Sequence, residues 1–132
     1  MTDTVNPRLY ALAIGAVLAL PPVAQDQAYH LFADARAFCG IDNFGNVASN
    51  LPFAVIGLAG LVAVGRRRLH AEQAERLLLL PLACFFAAVA LVAAGSAYYH
   101  ANPDDASLFW DRLPMTLAFG ALASGMLADR VD

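Results

Sequence analysis

Residues Gly95–Met115 read GSAYYHANPDDASLFWDRLPM and join the end of one apolar segment to the start of the next. Ser96, His100 and Asp111 fall within sixteen residues of this stretch. Polar groups are costly beside hydrocarbon, so a hydroxyl, an imidazole and a carboxylate at such a boundary ask for a purpose. Ser96 and His100 are four apart and share a face if the stretch is helical. Two readings stand side by side. In one, the three residues form a metal-supported hydrolytic site: His100 ligates zinc, Asp111 moves a proton and Ser96 bonds a developing oxyanion. In the other, they are the hydrated end of a helix, and Tyr98, Tyr99 and Trp110 form an interfacial aromatic belt.

The rest of the chain says where this stretch sits. Of its 132 residues 60% are apolar and only 14% charged, whereas an ordinary soluble domain is about 25% charged. A small all-α integral membrane helical bundle is the expected fold, in one domain. Four apolar segments stand out, at about 9–24, 51–65, 77–94 and 113–128. Each is close to the ~20 residues of a spanning helix. The first has a weakly basic start, with Asp3 beside Arg8, and is broken by Pro21-Pro22, so it reads as a retained helix rather than a signal peptide. Pro52, Pro81 and Pro114 are each expected near the start of an apolar helix, where proline is tolerated.

All eight basic residues are arginine, and Arg66, Arg67, Arg68 and Arg76 crowd the connection between the second and third segments. The positive-inside rule places that connection in the cytoplasm, with both termini. The site stretch then lies on the non-cytoplasmic face, with the loop 25–48. The net charge of −3 carries no nucleic-acid footprint. Cys39 and Cys84 are expected to be isolated thiols. His70 in the arginine-rich loop is expected to be solvent-exposed, and His30 to be a surface or interface residue without a local partner.

Two further groups attract attention. Ser49-Asn50, within NFGNVASNLPF, either caps the following helix or locks neighbouring helices together, with Asn46. Asp34, Asp42, Asn43 and Asn46 supply oxygen atoms suited to calcium, or simply build a hydrated turn-rich loop.

Taken together, NxxSN before an apolar helix, then GSxYYH, then WDRLPM, resemble the alkaline ceramidase branch of the CREST superfamily of membrane hydrolases. That superfamily also holds the adiponectin and progestin-type receptors. The likeness runs over roughly 34–126. It implies the first portion of a seven-helix fold and a zinc-dependent amidase that splits ceramide-like lipids into sphingoid base and fatty acid. By motif His100 corresponds to the first zinc histidine, Ser96 to the serine that stabilises the oxyanion and Asp111 to the catalytic aspartate. Asn46, Ser49, Asn50 and Tyr99 fall in supporting positions. A family calcium site would draw on Asp34 and on Asn43, which stands where a glutamate is expected. The family's two remaining zinc histidines, a His-x-x-x-His pair in a late helix, have no counterpart in this chain. The expectation is therefore a zinc site completed by self-association or by a missing C-terminal half. The alternative is a receptor-like or lipid-binding membrane protein without turnover on the same scaffold.

Overall fold

The computed structural model describes residues 7–21, 23, 25–128 and 130. Among these, every regular element is helical. Helix α1 spans Pro7–Ala19, and a 3-10 turn follows at Gln27–His30. Helix α2 is the short Phe44–Ala48, and α3, α4 and α5 are Leu51–His70, Gln73–Ala101 and Asp105–Ala128. Helix α4 lies in the middle, packed against α3 on one side and α5 on the other, with α2 against its far end.

The element ends follow local chemistry. Helix α1 stops before Pro21, whose ring disfavours the helical conformation in the residue ahead of it. The expected segment continued to residue 24; of its last residues, Pro22 and Ala24 lie outside those described. Helix α3 opens with proline in its first turn and closes with Arg67, Arg68 and His70, cations that suit the negative end of the helix dipole. Helix α4 runs past the apolar stretch 77–94 at both ends, because the flanks AEQAER and GSAYYHA have no helix breaker before Pro103. Helix α5 starts at Asp105 rather than near residue 113. Its start is held by a reciprocal cap: Ser107 N–H donates to Asp104 Oδ1 at 2.6 Å, and Asp104 N–H to Ser107 Oγ at 3.0 Å.

Pro81 and Pro114 do not stand at helix starts. They lie well inside α4 and α5. Pro114 is buried against α4 near Gly95, and Pro81 faces Gly125 across the same contact. A proline inside a helix frees the carbonyl four residues back, a loss that close packing against a second helix can absorb.

The glycines divide by helix contact. A Cβ on Gly57 would lie 2.5 Å from the Ala90 backbone nitrogen, and one on Gly60 would strike the Phe86 ring. Gly57 and Gly60 therefore let α3 approach α4 closely. Gly120, expected to serve in the same way, has open space around it.

Buried apolar residues are few and small, and Val64, Ala71 and Leu79 form a modest cluster with Ala83 and Phe86. Many large apolar side chains point outward, including Leu51, Val55, Leu58 and Val62 on α3 and Leu91 on α4. In water each would forgo roughly 1.5–3 kcal/mol of burial. Two stretches, Phe44–His70 and Leu78–Ala101, are long and apolar enough to cross a membrane, and only 22% and 17% of an 18-residue apolar portion of each is buried inside the molecule. A core helix of a soluble protein would be mostly buried. Helix α3, with 20 residues, is about 30 Å long, the thickness of a bilayer's hydrocarbon core.

Candidate functional site

Burial of polar groups marks one end of the molecule. Among the described residues the buried polar side chains are His30, Asn50, Ser96, Ser107 and Asp111. All lie where α3 and α5 begin and α4 ends, opposite the arginine-rich connection 66–76. Burying such groups unpaired costs about 1–3 kcal/mol each, so their gathering needs bonding partners or a use.

Helix α4 carries Ser96 and His100 one turn apart, and α5 carries Asp111. The two helices meet closely here because Gly95 has no side chain: a Cβ at that position would strike the Trp110 carbonyl oxygen. This contact leaves Ser96 only 7% exposed and Asp111 9% exposed. Among the described residues no hydrogen bond links Ser96, His100 and Asp111 directly to one another. His100 Nδ1 is buried with no hydrogen-bond partner. A buried ring nitrogen left unsatisfied is unusual, and it is a free donor atom for a metal or for a substrate proton.

Tyr99 is 2% exposed and its hydroxyl lies 3.0 Å from His30 Nδ1. Tyr98, Phe109 and Trp110 point outward at the same level, as an interfacial aromatic belt would.

The NxxSN segment ties the first loop to this end. Asn46 Nδ2 donates to the Asp34 carbonyl at 2.8 Å, and Asn50 Nδ2 donates back to the Asn46 carbonyl at 2.9 Å. Ser49 Oγ donates to the same carbonyl at 2.7 Å. Asn50 occupies the cap position of α3 but makes no side-chain cap, so this pair stitches α2 to α3 rather than capping α3. Asn43 has φ 50°, a left-handed conformation that asparagine tolerates, and its amide donates to the His100 carbonyl at 2.9 Å.

Of the calcium candidates, Asp34 is already engaged. Both Asp34 carboxylate oxygens are taken by Arg36, at 2.7 and 2.8 Å. The Arg36 side chain, and then its backbone N–H, hold the Asp34 carboxyl at about 2, below the ordinary 3.8. A cation at Asp34 would first have to displace this guanidinium. Asn43 gives its amide N–H to α4, and its Oδ1 is the atom a cation would use. Among the searched residues no group of three or more His, Cys, Asp or Glu gathers as a metal cage. Cys39 and Cys84 are free thiols.

His30, expected as a surface or interface residue without a local partner, has no local partner and does not lie on the surface. It is buried, with Nδ1 on Tyr99 and Nε2 3.1 Å from Asp105 Oδ1. These partners lie 69 and 75 residues along the chain, so nothing local in YHLF announces them. Asp105 and Phe32 were equally silent in the sequence. Phe32 lies over His100, with ring centroids 4.7 Å apart.

Compared with known proteins, the chain matches no family model, no curated protein and no solved structure.

Proposed function

We propose that this chain supplies one wall of a zinc-dependent membrane amide hydrolase that acts on ceramide-like lipids. One observation carries the proposal: Ser96 and Asp111 are buried where α4 meets α5, and His100, one turn from Ser96 on α4, has a buried, unpartnered Nδ1. The GSxYYH and WDRLPM motifs that resemble the ceramidases supply the same three residues. Two long apolar helices suit a substrate that lives in a bilayer.

His100 Nδ1 fits the part of a zinc ligand, since that atom has no other bond to make. A catalytic zinc holds three protein ligands, so the remaining donors would come from a second copy or from a separate polypeptide segment. Zinc in that position would polarise the amide carbonyl and acidify water. Asp111 then takes a proton from the attacking water and passes it to the leaving amine nitrogen, while the carbon–nitrogen bond breaks. Ser96 Oγ donates a hydrogen bond to the oxyanion as it forms. The helix contact at Gly95 keeps bulk water away from both residues. In this scheme Asn46, Ser49, Asn50 and Tyr99 position the site rather than react. The positive-inside rule puts this end on the non-cytoplasmic face, in a bundle of about four crossings.

The test is hydrolysis of a ceramide in proteoliposomes, with sphingoid base and fatty acid measured by mass spectrometry. Ser96→Ala should lower kcat by roughly 10²–10³-fold. A ceramide retained by the protein but never cleaved would instead support a lipid-binding or receptor-like membrane protein.

A further inference from the structure

The segment Gln25–Asn43 crosses the end of α4 and α5 as a strap, and its attachments are few. His30 bonds Tyr99 and Asp105; Gln27 Nε2 donates to Asp105 Oδ2 at 3.0 Å; Arg112 donates to Gln25 Oε1 at 3.1 Å. At the far end Asn43 holds the His100 carbonyl. Between these points Phe32 packs on the rings of both His100 and Tyr99. The neutral His30 tautomer with its proton on Nε2 satisfies both contacts at once: Tyr99 O–H donates to Nδ1 and Nε2–H donates to Asp105.

Midway, Asn46 Nδ2 holds the Asp34 carbonyl and Phe44 N–H the Arg36 carbonyl, but the outer side of the strap is bare. Leu31 is 80% exposed and Phe38 60% exposed. The Asp105 side chain is itself 60% exposed, so water competes for the oxygens that hold His30 and Gln27. Segments with few buried apolar contacts and rim-exposed hydrogen bonds open at low free-energy cost. Beneath this one lies the buried, unpartnered Nδ1 of His100, with Phe32 packed against the same ring.

We infer that Gln25–Asn43 is a latched cover over His100, with His30 as the latch, Asp105 and Tyr99 as its catch, and Phe32 as the cap. The inference deepens the proposed function by naming what gates that site, and its purpose rests on His100 being a site residue. Opening breaks the His30 contacts at the Asp105 rim and lifts Phe32, and closing restores them. His30 is a positioning residue here and touches no reacting atom.

The test reads the reactivity of His100 itself. Chelator-treated protein in detergent is exposed to diethyl pyrocarbonate, and the modification rate of each histidine is followed by peptide mass spectrometry. His70, exposed at the opposite end, serves as the internal reference. In the unaltered protein His100 should react far more slowly than His70. His30→Ala and Asp105→Ala, each losing bonds of the latch, should raise the His100 rate about tenfold with His70 unchanged. Phe32→Ala should raise it without touching the latch, a second route if a latch variant fails to fold. A His100 as reactive as His70 at the outset, or one equally slow in all folded variants, would overturn the cover. Neither result depends on zinc or turnover, so a failure of the hydrolase proposal is seen separately, in the ceramide assay.

Discussion

The carbonyl of Trp110 rests against Gly95. Pro114, four residues on, has no N–H to give that carbonyl, and the freed oxygen turns to the one position on α4 without a side chain. A Cα–H···O contact is the natural partner for an oxygen placed this way. The relationship sets the depth at which α5 meets α4, and with it the burial of Ser96 and Asp111. Gly95→Ala forces a backbone carbonyl aside rather than a flexible side chain. It should destabilise the protein by about 1–3 kcal/mol, the usual cost of overpacking, as measured by thermal unfolding in detergent.

The α3–α4 contact makes a sharper comparison. Gly57→Leu meets the Ala90 backbone and should weaken the protein markedly, whereas Gly120→Leu meets open space and should leave its stability within about 0.5 kcal/mol. Equal effects at both positions in unfolding experiments would contradict the packing described for α3.

Ser107 anchors the start of α5 by accepting from Asp104 N–H and donating to the Asn102 carbonyl. Ser107→Ala should cost about 1 kcal/mol. It should also speed amide hydrogen exchange in the first turn of α5 more than in α3.

The Asp34–Arg36 pair gives a pH signature. The Asp34 carboxyl is depressed in the folded chain, so its contribution to stability is present above the ordinary 3.8 and disappears as pH falls through about 2. Loop protection measured by hydrogen exchange should therefore fall across that window. Asp34→Asn should abolish the change and leave α3 and α4 unaffected.

The membrane-length apolar stretches of α3 and α4 were legible in the sequence because composition and length alone announce them. Ser96 and His100 were legible as a face because spacing of four fixes neighbours on a helix. The depth of Asp111 was less so, since the early start of α5 depends on the Asp104–Ser107 cap. The burial of His30 was not legible because its two partners come from the far side of the fold, and burial of a loop histidine leaves no local periodicity to detect. The interior places of Pro81 and Pro114 escaped for a similar reason: only the partner helix makes them tolerable.

The measurement closest to the central claim is the zinc content of the protein purified from membranes in mild detergent, by elemental analysis, with His100→Ala and His70→Ala beside it. Zinc that co-purifies with the unaltered chain, stays in His70→Ala and is lost in His100→Ala is the predicted result. No zinc, or zinc that persists in His100→Ala, would contradict His100 as a ligand and leave the burial of Ser96 and Asp111 as helix packing.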